Sequence, residues 1–276
     1  MLGKLIKHEW KSTYRMGCLM LLITLIVTFL GWLSFQSPMW RQLSGDDYRM
    51  SFGLLDFLSI MVLLMYVFML VGITYGIQIY LGVHFYKTMY TDQGYLTHTL
   101  PVDKHQLLVS KILVSGLWLM IVTVSVFLSG MLVMGSMGGA IMPTGYTWSD
   151  FWREMSPMLR ELFDMLGMNS GFYLVLLLLS GILGPFVSVT ILFGAVTMGQ
   201  LFSKARALMA ILCYLGVSMV NGILTSVVQG LLAFGTWEFD TVMDVSTFSS
   251  LIVQVIAAVL LYFAAYQITT KRLNME

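Results

Sequence analysis

Six stretches of the chain are almost continuously apolar: residues 16–35, 57–82, 107–135, 171–199, 207–234 and 247–268. A helix needs about 20 apolar residues to cross the hydrocarbon of a bilayer, and each stretch reaches that length. Helices apolar on every face belong in lipid or inside protein, not in water. Repeated six times in 276 residues, the pattern predicts an all-α polytopic membrane protein, one transmembrane domain over residues 1–276.

Two other segments carry a helical period with one polar face. In residues 1–15, Lys4, Lys7, His8, Lys11 and Arg15 fall on one side, and Leu2, Leu5, Ile6, Trp10 and Tyr14 on the other. This predicts an interfacial amphipathic helix with Trp10 at headgroup depth, either a topology anchor or a contact for a cytoplasmic partner. The loop 136–170 contains the second, "TWSDFWREMSPMLRELFDML" at 147–166. There Phe151, Trp152, Met155, Met158, Leu159, Leu162 and Phe163 share a face opposite Arg153, Glu154, Arg160 and Glu161. Pro157 is expected to kink or divide that helix.

Composition agrees with the pattern. The chain is 58% hydrophobic and 11% charged, against about 25% charged in soluble domains. A net charge of +1, with its cations in short groups beside apolar runs, gives no surface for nucleic acid. The placement of those cations gives direction. With the N-terminus in the cytoplasm, Lys4, Lys7, Lys11, Arg15, Lys87, Lys104, Lys111, Lys204, Arg206, Lys271 and Arg272 lie on that side. Only Arg41, Arg49, Arg153 and Arg160 lie outside, so both termini are predicted to be cytoplasmic.

The chemistry of catalysis is missing from the sequence. There is no G-x-x-x-x-G-K-[ST] phosphate loop, no H-E-x-x-H, and no nucleophile–base set at one membrane depth. The chain is therefore not expected to be an enzyme or to hold a cofactor, and no residue is assigned as catalytic. His84, His98 and His105 cluster in sequence without accompanying carboxylate or cysteine ligands, so no metal is expected there. Cys18 and Cys213 fall within spans and are expected to be buried as small apolar groups. Apart from Lys111, the six stretches contain no Asp, Glu, Lys, Arg or His, which argues against charge relay inside the bilayer.

Methionine and amide side chains leave alternatives open. Met61, Met65 and Met69 recur every four residues, and Met131, Met134 and Met137 every three. Such thioethers fill gaps in packing, line an adaptable lipophilic path, or bind Cu(I). Gln78 and Asn221 stand within spans, either as interhelical hydrogen-bonding groups or along a substrate path between two protomers.

The polar insert "HFYKTMYTDQGYLTHTLPVDKHQLLVSK" at 84–111 separates the second and third apolar stretches. The second helix is expected to continue through Lys87, with a turn at Gly94. Leu100-Pro101 forces an extended joint, and Asp103 with Gln106 starts a new helix leading into the third span. Tyr90, Tyr95, Leu96 and Leu100 place apolar groups in this polar segment. They read either as a protein contact or as aromatics lying among lipid headgroups.

The run from Phe85 to Leu113 resembles the first cytoplasmic loop of ABC-2-type permeases. An acidic-x-Gly-x-Leu pattern falls at Asp92, Gly94 and Leu96, followed by Leu100, Pro101 and Val102 and a helix through Lys111. The six spans and the N-terminal helix are similar to that family across nearly the whole chain. The resemblance implies the membrane-spanning permease of an ABC exporter in a bacterial cell membrane, with 84–106 as the coupling loop. Tyr90, Asp92, Gly94, Tyr95, Leu96, Leu100 and Pro101 would seat in a separate ATPase subunit, where ATP and Mg bind. A second permease chain, identical or a sister, would complete the unit, and a lipophilic or amphipathic peptide, lipid or drug would be its cargo. The short segment "GTWEFDTVMDVST" between the fifth and sixth spans departs from the family, whose re-entrant outer helices are expected to be reduced here. Two other classes fit the residues: a non-transporting immunity or sensor-scaffold protein, and an ion-coupled carrier.

Overall fold

The computed structural model describes residues 2–37, 40, 53–91, 94, 103–141, 148–165, 170–202, 205–233 and 239–271. Among them run seven helices: α1 Leu2–Ser34, α2 Leu54–Tyr90, α3 Lys104–Ile141, α4 Trp148–Met165, α5 Ser170–Gly199, α6 Arg206–Ala233 and α7 Phe239–Lys271. All but α4 are long and apolar enough to cross a membrane. The protein is thus all-helical with a multi-pass membrane architecture.

The helices outrun the apolar stretches that announce them. At 37 residues, α2 is about 55 Å long at 1.5 Å per residue, against about 30 Å of hydrocarbon. Its last turns therefore extend beyond a bilayer's apolar thickness. The expectation of a separate interfacial helix over residues 1–15 is corrected, because α1 continues unbroken from Leu2 to Ser34. No proline interrupts the junction with the apolar stretch, and a single glycine in a helix costs only about 1 kcal/mol. Pro157 likewise lies inside α4 without dividing it.

The residues form two compact units. One contains Met1–Thr13, Gln78–Met120 and Leu162–Glu276. In it α5, α6 and α7 pack on one another, and two glycines permit close approach. A Cβ at Gly194 would lie 2.7 Å from Cβ of Leu261, and one at Gly199 would lie 2.4 Å from the Ala210 Cα. Phe85 of α2 stacks on Phe193 of α5 with ring centroids 4.0 Å apart, both fully buried. Between α5 and α6, Ala205 adopts φ 52°, a left-handed conformation that costs a non-glycine residue roughly 1–2 kcal/mol. Ala205→Gly relieves that strain but frees the unfolded chain, so a net gain of about 0.5–1 kcal/mol is expected. A thermal melt of the two proteins in the same detergent measures it.

The other unit contains Tyr14–Ile77 and Ile121–Glu161. Ser34 and Ser59 exchange hydrogen bonds between hydroxyls and carbonyls at 2.6 and 2.9 Å, which joins the end of α1 to the start of α2. Ser129 of α3 meets the Tyr66 hydroxyl at 3.0 Å and receives that of Thr28 at 2.7 Å. Beside this trio a groove of about 760 Å³ opens between α1 and α3, with Thr24, Thr28, Trp32, Ser125 and Ser129 in its wall.

Several expectations about side chains change. Met61, Met65 and Met69 are exposed along α2, as are Met131 and Met134 on α3, so these stripes do not fill the interior of this chain. Cys18 is exposed and Cys213 half-buried, both free thiols. On a helix surrounded by lipid a small apolar group needs no protein cover.

Candidate functional site

The end of α2 and the start of α3 flank residues 91–103, and both ends are fastened to other helices. Tyr90 closes α2 and is buried, with its hydroxyl 2.8 Å from that of Thr197. Thr197 gives its own proton to the Phe193 carbonyl at 2.8 Å, which makes Tyr90 the donor. Thr197 stands in the last turn of α5. On the other side, Lys104 opens α3 and donates from Nζ to the Thr269 carbonyl at 3.0 Å. Thr269 belongs to the last turn of α7, where carbonyls lack helical partners and a cation is favoured. The next residue, His105, meets the Tyr262 hydroxyl of α7 through Nδ1. Both flanks are thus hitched to the C-terminal turns of α5 and α7.

Asp103 directly precedes α3 and its carbonyl accepts from the Leu107 amide at 3.1 Å, in keeping with the expected helix start. Gly94 forms the expected turn, its amide donating to the Thr91 carbonyl at 2.7 Å. A Cβ at Gly94 would sit 2.4 Å from the Met89 carbonyl oxygen, so only glycine fits without movement. Asp92, Tyr95, Leu96, Leu100 and Pro101 lie outside the described residues. Gln78 is half-buried on α2, three turns before Tyr90. Asn221 is half-buried on α6, and its buried Oδ1 has no hydrogen-bond partner among the described residues.

A second constellation, built on three helices, was not anticipated from the sequence. Glu9 of α1 is 8% exposed and Lys111 of α3 only 2%. Lys111 Nζ donates to Glu9 Oε1 at 2.9 Å and to the Thr88 hydroxyl of α2 at 2.9 Å. Thr88 passes its proton to the His84 carbonyl at 2.8 Å. His84 Nε2 stands 3.3 Å from the same Glu9 oxygen, close enough for electrostatic attraction but without the alignment of a hydrogen bond. The Tyr80 ring stacks beside the imidazole, centroids 5.8 Å apart. Trp10 stacks on Trp118 at 4.7 Å, and the Thr13 hydroxyl donates to the Glu9 carbonyl at 3.0 Å. The N-terminal turns of α1 therefore turn Glu9, Trp10 and Thr13 toward protein and leave Lys4, Lys7, His8 and Lys11 exposed.

Lys111 remains the one ionisable residue within the six apolar stretches, but the helices that carry those stretches bring two more to it. Glu9 and His84 lie just beyond the apolar stretches yet on the same continuous helices. The sequence marks each residue as unusual without pairing them: Glu9 is the only acidic residue before Asp46, set among cations, and Lys111 is the only cation within an apolar stretch. Among the described residues no group of three or more His, Cys, Asp or Glu is placed to hold a metal. Compared with known proteins, the chain matches no family model, no curated protein and no solved structure.

Proposed function

We propose that this chain is the membrane-spanning permease subunit of an ATP-driven exporter, powered by a separate ATPase that docks on residues 91–103 at the cytoplasmic side. The observation that carries this reading is the fastening of both flanks of that segment, Tyr90 to Thr197 and Lys104 to Thr269. A push on a segment held in this way is delivered to the ends of α5 and α7 instead of being absorbed by a slack loop. The absence of a phosphate loop from the sequence calls for power from another chain. The groove between α1 and α3, apolar with a row of hydroxyls, suits an amphipathic peptide, lipid or drug better than a sugar or an ion. Two such permeases with two ATPase chains form the working unit.

A pull-down of tagged protein from native membranes in mild detergent, with partners identified by mass, tests the proposal. An ATPase carrying a phosphate loop is expected to co-purify and to be lost from Leu96→Asp, while the variant stays folded and at normal abundance. Recovery of the chain alone, under conditions that preserve known membrane complexes, refutes it in favour of a module that sequesters a peptide. One observation favours a second reading, an ion-coupled carrier: the buried Glu9–His84–Lys111 group is of the kind such carriers use. That reading requires transport to collapse with the ion gradient and to persist without ATP.

A further inference from the structure

We propose that Glu9 and His84 form a proton-binding pair, a latch that draws α1 onto α2 when His84 is protonated. Its starting point is an orphaned atom. His84 Nε2 is buried and lacks a hydrogen bond, a situation that calls for an explanation in a native protein. It faces Glu9 Oε1 at 3.3 Å. With the imidazole neutral and its proton on Nδ1, the Nε2 lone pair confronts a carboxylate oxygen, and α1 is linked to α2 here only through Lys111 and Thr88. An added proton on Nε2 places a cation 3.3 Å from the carboxylate, and a small turn of the ring then aligns a charge-assisted N–H···O contact, which is stronger than a neutral hydrogen bond.

The groups around the imidazole favour that outcome over release of Lys111. From α3, Lys111 is held by Thr88 as well as by Glu9, so a second cation at Oε1 does not set it adrift. From α2, the Tyr80 ring stacked on His84 offers its π face to a cation. From α1, Glu9 supplies the one negative charge among the described residues of the cluster. Neutral His84 leaves Glu9 and Lys111 balanced, and protonation sets two cations, Lys111 and His84, against the one Glu9 carboxylate oxygen. The latch sits two turns before Tyr90, so its meaning as a control on residues 91–103 rests on the coupling role proposed above. Its existence does not depend on that role.

Nitroxide labels at Lys7→Cys and Lys87→Cys, exposed positions on α1 and α2, read the latch in the full chain without any partner. Cys18→Ser and Cys213→Ser remove the native thiols. Pulsed EPR is expected to show the distance distribution sharpening as the sample is acidified from about pH 8 to about 5.5. His84→Gln and Glu9→Gln should each abolish the response, with His8, His98 and His105 still present. A distribution indifferent to pH, or a response retained in His84→Gln, overturns the proposal. Because no ATPase or cargo is involved, neither result depends on whether the chain is an exporter.

Discussion

Replacing Glu9 by leucine is expected to destabilise the protein by about 3–5 kcal/mol, the cost of stranding a buried charge. Lys111 is 2% exposed, and without Glu9 its ammonium keeps only the Thr88 hydroxyl among the partners described above. The loss lies mainly in the uncompensated cation rather than in the broken contact. It follows that Glu9→Leu combined with Lys111→Met should recover most of the stability, since two apolar groups of similar size take the place of the pair. Thermal unfolding of the wild type, both single variants and the double variant gives the coupling directly. A double variant no more stable than Glu9→Leu would show that the pair does not carry the effect.

Gly199→Ala is expected to cost about 1–3 kcal/mol, the usual penalty of overpacking, and the cause lies in the backbone. The new Cβ would fall 2.4 Å from the Ala210 Cα and 2.5 Å from its nitrogen. Removing the Ala210 side chain therefore offers no relief, and Gly199→Ala with Ala210→Gly should melt no higher than Gly199→Ala alone. The chain reverses immediately afterwards, where the Gln200 amide donates to the Thr197 carbonyl at 3.1 Å. Parting α5 from α6 at this point disturbs the turn that carries Thr197, and with it the hold on Tyr90. Rescue by Ala210→Gly in thermal melts would refute the backbone account.

The six spans were legible because apolar length is a local property: each stretch declares itself without reference to any other. The start of α3 after Asp103 and the turn at Gly94 were legible for the same reason, since caps and breakers act within a few residues. The extent of α1 was not. A basic stripe at Lys4, Lys7 and Lys11 has the same period whether its helix lies in the interface or runs on into a span, and only the continuation through Gly17 decides between them. The Glu9–Lys111 pair was illegible for a different reason. Glu9 reads as one more polar residue of a charged segment, and its burial depends on which helix stands opposite. Likewise, Tyr90 suggested a protein contact from sequence, yet its hydroxyl is spent on Thr197 within the chain.

The separation of Glu9 and Lys111 by 102 positions also has a consequence for biosynthesis. Glu9 is synthesised before Lys111, with two apolar stretches made between them. Lys111 then arrives as a charge in an apolar stretch, a residue type that costs about 2.5–3.5 kcal/mol at the centre of an inserting helix. Lys111 is the eighth residue of α3, near its end rather than its centre, and in the folded chain the Glu9 carboxylate compensates its charge. The cation of α3 is in this way answered by a carboxylate that the chain has already made.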